Sequence, residues 1–203
     1  MTQTITLPNS STGPLDERDP RHGLACATVL ARLVTQRVTP ENATMISPCP
    51  EWDARSVAGH IIAVLDRLAG FTHGIPAEDL PFLHDLRVDQ LETQFDRAAH
   101  ALQEAWSSSS VLSQMLVLPF ATLPGSVAAR FYTSELLVHT WDLATAIQVP
   151  VQWPDDLILQ ILPGARAGIP LERGPGIPFG PVPTIPDNAP PIAQLVAWLG
   201  RRP

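Results

Sequence analysis

Lysine is missing from this chain: all 13 basic residues are arginine, set against 20 acidic ones for a formal charge of −7. An acidic chain of this kind lacks the basic surface that phosphate backbones require, so no nucleic-acid partner is expected. No apolar run approaches the roughly eighteen residues that cross a bilayer, and no membrane segment is expected either. The opening MTQTITLPNSSTGPLDERDP has no basic n-region and no apolar h-region, so it is not read as a secretory signal. Cysteine is scarce. Cys26 and Cys49 cannot build a disulfide framework, and a reduced cytoplasmic setting is the simplest expectation. There is no Gly-rich phosphate loop, no Walker sequence and no Gly-x-Ser-x-Gly, which removes nucleotide-dependent and serine-hydrolase chemistry.

What is present is enough apolar material for one folded domain: 203 residues, 45% hydrophobic and only 16% charged. Residues 1–18 are polar and aperiodic and read as a flexible tail, leaving residues 19–203 as a single domain with a C-terminal extension over 150–203. Asp19-Pro20 is a helix-entry signal, and helical spacing then runs to about Val38. Asp53 caps a second helix that stops between Gly70 and Gly74. A third spans about Arg87 to Trp106 and a fourth Gly125 to about Ile147. Between these two, residues 111–124 are rich in branched apolar residues and predict a short strand or extended pair. Asp155 to Ala167 and Ala189 to Leu199 form shorter helices, separated by a Pro- and Gly-rich irregular stretch over 168–190. Four main helices of about twenty residues predict an all-α four-helix bundle. The long connections permit an up-down-down-up order.

The chemistry-bearing signal is Glu135-Leu-Leu-Val-His139. Positions i and i+4 lie about 40° apart around a helix and roughly 6 Å apart along it, so both side chains can reach one metal ion. An ordinary Glu–His or Glu–Arg surface pair satisfies the same spacing. A third ligand must come from another helix, and His60, in the middle of an apolar face beside Gly59, is the best placed. A core histidine bonded to a backbone carbonyl is its alternative reading. Together His60, Glu135 and His139 would leave one coordination position open, as in a catalytic zinc site. Asp142 shares their stripe and could accept a ligand histidine's free N–H or pair with an arginine. Arg130 and Tyr132, one turn before Glu135, are candidate substrate contacts. His73, at a helix end, stands behind these, with His22, His84 and His100 weaker still. Cys49 precedes a helix start, where the dipole could lower its pKa, but no partner residues surround it in sequence.

The stretch PCPEWDARSVAGH from Pro48 to His60 resembles the first motif of the mycothiol-dependent maleylpyruvate isomerase N-terminal domain family, within the DinB-like superfamily. ELLVHTWDLA from Glu135 to Ala144 resembles its second. Phe179-Gly-Pro, Asp187-Asn-Ala-Pro-Pro and Leu199-Gly-Arg are similar to the tail of a short actinobacterial metal-binding subgroup. The resemblance covers residues 19 to 203 and implies a DinB-like four-helix bundle. It further implies a divalent metal, zinc foremost, on His60, Glu135 and His139, with mycothiol as a cosubstrate for S-transfer or isomerisation of a small electrophile. The lysine-free, Arg- and Ala-rich composition suits a GC-rich host of that kind. Without the isomerase's larger C-terminal domain, maleylpyruvate itself is not the expected substrate. Two further readings remain beside the enzyme: a non-catalytic metal- or ligand-binding bundle, and a secondary-metabolism enzyme without thiol chemistry. A homodimer is compatible with the sequence, although no helix face shows a regular seam.

Overall fold

The first two helices start where their aspartates place them. A computed structural model describes residues 3–8, 15–49, 51–174, 177 and 179–203. Helix α1 (Pro20–Thr35) is capped by Asp19, whose carboxylate accepts from the Arg21 backbone N–H. It ends three residues before the expected Val38, because residues 36 and 37 tighten into a turn. Helix α2 (Ala54–Thr72) is capped by Asp53 accepting from the Ser56 N–H. Helices α3 (Val88–Ala105), α4 (Gly125–Ala146), α5 (Asp155–Gly168) and α6 (Pro191–Trp198) follow within a residue or two of the expected bounds. The extended segment is a small antiparallel hairpin of β1 (Met115–Val117) and β2 (Thr122–Pro124). Leu116 pairs with Leu123 and turns into the core, while Met115 and Val117 stay exposed.

The chain is thus mostly helical, and its packing is pairwise. Helix α1 lies along α4, and α2 lies along α3 and against α4. Helices α5 and α6 close over α4 from another side. The core is built from Leu30, Ile61, Ile62, Leu65, Leu136, Leu137 and Leu143, all fully buried. Gly125 lets α4 start directly against Val111, whose carbonyl oxygen would stand 2.0 Å from an added Cβ.

Within the segment expected as a flexible tail, Ile5 is buried and is held by backbone hydrogen bonds to Pro150 and Gln152. Residues 1–2 and 9–14 of that segment lie outside the described residues, as does Pro50 of the first motif.

Helix α4 is enclosed on most of its circumference, which leaves its polar residues with few options. Thr133, Ser134 and Thr140 return their hydroxyls to the carbonyls one turn back, on Ala129, Arg130 and Leu136. Glu135, His139 and Asp142 have no such local outlet.

Candidate metal centre

These three meet one another along α4 and are joined by His60 and Arg201 from other elements. His60 enters from the middle of α2, and its Nε2 lies 3.6 Å from Glu135 Oε1. His139 Nε2 approaches the same oxygen at 3.3 Å from one turn along α4. The ligand atoms of His60, Glu135 and His139 all fall within 4.8 Å of one another. Donor atoms bound at about 2.0–2.2 Å to a tetrahedral ion stand about 3.3–3.6 Å apart. The two measured separations match that edge length, so the residues fit a single small cation.

The tautomer of His60 strengthens the fit. Its Nδ1 lies 2.8 Å from the Phe82 carbonyl oxygen, which can only accept, so Nδ1 carries the proton. Burial lowers the pKa of this histidine, outweighing the attraction of Glu135, and keeps the ring neutral. Its Nε2 therefore presents a lone pair to the oxygen of Glu135, one acceptor facing another. Glu135 is ionised: burial opposes the charge, but the neighbouring His139 ring holds its carboxyl well below the usual carboxylate range. Two acceptors facing each other repel, and a cation between them removes the conflict.

His139 uses both edges of its ring. Beyond the Glu135 contact, its Nδ1 lies 3.1 Å from Asp142 Oδ2, without the alignment of a hydrogen bond. Burial disfavours the charged ring, yet Asp142 and Glu135 together push its pKa up to about 9. Asp142 is completely buried and is also gripped by Arg201, whose Nη2 and Nε donate to its two oxygens at 2.9 and 3.3 Å. Asp142 thus pairs with an arginine and lies against the edge of a histidine.

An aromatic wall covers the histidines. The Trp52 ring centroid is 4.5 Å from that of His60 and 5.7 Å from that of His139, and the Phe82 ring lies 4.8 Å from that of His60. Glu135 is the most exposed of the three, with 22% of its side chain accessible. The centre therefore meets solvent chiefly at the carboxylate.

The remaining candidates fall elsewhere. Tyr132 is buried between Phe71 and Phe131, and burial followed by the charge of Glu135 raises its phenol pKa. Arg130 is exposed. His84 is bonded to Asp66 and His100 to Glu104 on the surface. Cys49 does approach His139 and Asp142, which its sequence neighbours did not reveal. The expectation that a helix dipole lowers its pKa is corrected: burial pushes the thiol up, outweighing nearby Arg201. Phe82, Trp52 and Arg201 were missed as parts of the centre. Phe82 acts through its backbone, and Arg201 lies 59 residues from its partner. Trp52, inside the first motif, and Arg201, closing the Leu199-Gly-Arg stretch, each lay in a stretch that offered a signal.

The sequence profile of the family described as mycothiol maleylpyruvate isomerase N-terminal domain matches residues 24–144, a span that contains His60, Glu135, His139 and Asp142. Two proteins of Mycobacterium tuberculosis, the uncharacterized protein MT0763 of strain CDC 1551 and the uncharacterized protein Rv0738 of strain H37Rv, are each 30% identical over 156 residues. Those alignments cover 76% of this chain and 82% of each relative. No solved structure matches the chain.

Proposed function

Since this chain belongs to the mycothiol maleylpyruvate isomerase N-terminal domain family, we propose that it is a divalent-metal-dependent enzyme. In this reading it activates a small thiol of the mycothiol type toward a small electrophile, by S-transfer or isomerisation. The observation that carries the reading is the pair of facing acceptors, His60 Nε2 and Glu135 Oε1 at 3.6 Å, with His139 closing the triangle. The packing of α1 on α4 and of α2 on α3 and α4 supports a DinB-like four-helix bundle as the frame. Two free cysteines, and no described helix long and apolar enough to cross a membrane, support placing it in the reduced cytoplasm.

His60, Glu135 and His139 would hold the ion, zinc foremost given the donor set. When bound, it supplies the positive charge that lets an entering thiol lose its proton. One carboxylate and two neutral imidazoles leave a net positive charge, which favours an anion in the remaining position. Asp142 fixes the orientation of His139 from the opposite edge of the ring, and Arg201 keeps Asp142 ionised there. Trp52 excludes water from the faces of both imidazoles. Tyr132, buried between Phe71 and Phe131, keeps its phenolic proton, while Arg130 meets only those parts of a substrate that extend into solvent.

Elemental analysis of the purified protein, followed by incubation with mycothiol and a panel of electrophiles read by mass spectrometry, tests this reading. The expected result is one divalent ion per chain and metal-dependent thiol adducts. Thiol turnover in the metal-free protein would overturn it, and metal without any thiol chemistry would leave a binding protein in its place.

A further inference from the structure

The segment from Ala77 to Leu86 has no α-helix or strand, yet α2 ties it down along its length. Arg67 Nη1 donates to the Ala77 and Leu80 carbonyls at 3.1 and 3.0 Å. Asp66 Oδ2 accepts from His84 Nε2 at 2.8 Å. Arg55 reaches Asp85 and the Leu86 carbonyl at 2.7 and 3.0 Å. Gly59 admits the strap to the helix surface: the His84 carbonyl oxygen would stand 2.2 Å from a Cβ at that position. Phe82 sits between these ties, and its carbonyl is the one that meets His60 Nδ1. The Phe82 side chain is 61% exposed, so its own burial does little to hold that carbonyl in place.

We propose that Asp66 and His84 are positioning residues of the metal centre. Their hydrogen bond holds the strap two residues beyond Phe82 and keeps the Phe82 carbonyl against His60 Nδ1. That contact fixes the proton on Nδ1 and leaves the Nε2 lone pair turned toward Glu135 and His139. If the carbonyl moves away, the proton shifts to Nε2 and donates to Glu135, which occupies the lone pair and the carboxylate oxygen that a cation needs. Asp66 also accepts from Arg97 of α3 at 3.1 and 2.7 Å, a tie between α2 and α3 that does not touch the strap. The metal half of this inference rests on the function proposed above; the tautomer half concerns the protein without metal and stands alone.

The test compares His84→Ala, Asp66→Ala, His84→Gln and Arg97→Ala in the full chain. Nitrogen-15 NMR of the metal-free proteins reads the His60 tautomer, and competition with a chromophoric chelator reads zinc affinity. In the unaltered protein His60 is protonated at Nδ1. His84→Ala and Asp66→Ala shift that population toward Nε2 and weaken zinc binding by about 10-fold, the low end for an outer-shell partner. His84→Gln, whose amide can still donate to Asp66, restores both readings. Arg97→Ala leaves both within about twofold, which separates positioning from simple tying of α2 to α3. The proposal is overturned if His84→Ala keeps the Nδ1–H tautomer, or if Arg97→Ala does as much as Asp66→Ala. Should the unaltered protein bind no zinc, the proposed function fails, and the tautomer comparison still decides the role of the strap.

Discussion

Asp142 lies against the inner edge of His139, its Oδ2 3.1 Å from Nδ1, so that the opposite nitrogen of the same ring is aimed at Glu135. The two edges of His139 thereby have separate tasks. A carboxylate behind a ligand imidazole fixes its rotation and raises its basicity toward a cation. His60 is held from behind by a backbone carbonyl instead, so the two histidines are supported by different means.

Removing the shared ring should remove the centre. His139→Ala is expected to reduce bound divalent metal from one ion per chain to none and to abolish thiol-dependent turnover. His73→Ala is the matched control, because His73 caps the far end of α2 and belongs to neither group of converging ligand atoms. Elemental analysis of both variants checks the prediction. Metal retained in His139→Ala would place the ligands elsewhere.

The helices were legible because their start signals are local. Asp19 and Asp53 cap the residues that follow them, and apolar spacing carries each helix onward. The trio was legible through the i, i+4 rule for Glu135 and His139, and through the placing of a histidine among Ala58, Gly59, Ile61 and Ile62. What surrounds the trio was not. The Phe82 carbonyl has no side-chain signature, the Asp66–His84 contact crosses an irregular strap, and Arg201 reaches Asp142 from the C-terminal segment. Ile5 docks on residues 150–152 through backbone hydrogen bonds and buries its side chain in the core. Periodicity reports which face of a helix is buried; it carries no information about which loop covers that face. Gly59 marks the boundary. Its missing side chain leaves room for a neighbour, and the neighbour is the strap.

That reading leads to a second prediction. A Cβ at Gly59 would meet the His84 carbonyl oxygen at 2.2 Å, and a backbone oxygen cannot swing aside as a side-chain tip can. Gly59→Ala should therefore destabilise the fold by about 1–3 kcal/mol through overpacking, and loosen His60 at the same time. Gly164→Ala in α5, where nothing lies within 4 Å, should instead stabilise by roughly 0.5–1 kcal/mol through helix propensity. Urea denaturation of the two variants gives opposite signs if the strap is packed as described.

Asp19 offers a pH-dependent prediction away from the site. Its carboxylate caps α1 and binds the Arg21 guanidinium, which itself donates to the Ser107 carbonyl beyond α3. The Arg21 hydrogen bond outweighs partial burial and lowers the Asp19 pKa in the folded protein. A depressed carboxyl pKa contributes stability above the unfolded-state value of about 3.9, and that contribution is lost as the pH falls through the folded value. Asp19→Ala should cost about 1 kcal/mol at neutral pH for the cap, somewhat more with the ion pair. The gap to the unaltered protein should narrow as the carboxyl titrates in acid. Thermal melts across pH 2.5–7 measure it, and a gap independent of pH would mean that the ion pair contributes nothing.

Arg201 supports the centre from the greatest distance in sequence. Gly200 adopts φ 82°, a left-handed conformation that turns the chain after α6 so that Arg201 can face α4. An added Cβ at Gly200 would also strike the backbone of Gly180, at 2.6 Å, so the turn is closed on both counts. The guanidinium then meets a carboxylate with no solvent exposure at all. Breaking one partner of a buried pair leaves an uncompensated charge, a loss of about 3–5 kcal/mol. Arg201→Leu should fall in that range by urea denaturation and should reduce metal affinity, because Asp142 then draws its proton from His139 or moves. Arg201→Leu combined with Asp142→Asn removes the stranded charge, and the double variant should regain most of the stability. Metal affinity should not return with it, since a neutral amide polarises His139 less than a carboxylate does. Recovery of stability without recovery of metal binding would separate the structural share of this pair from its share in the centre.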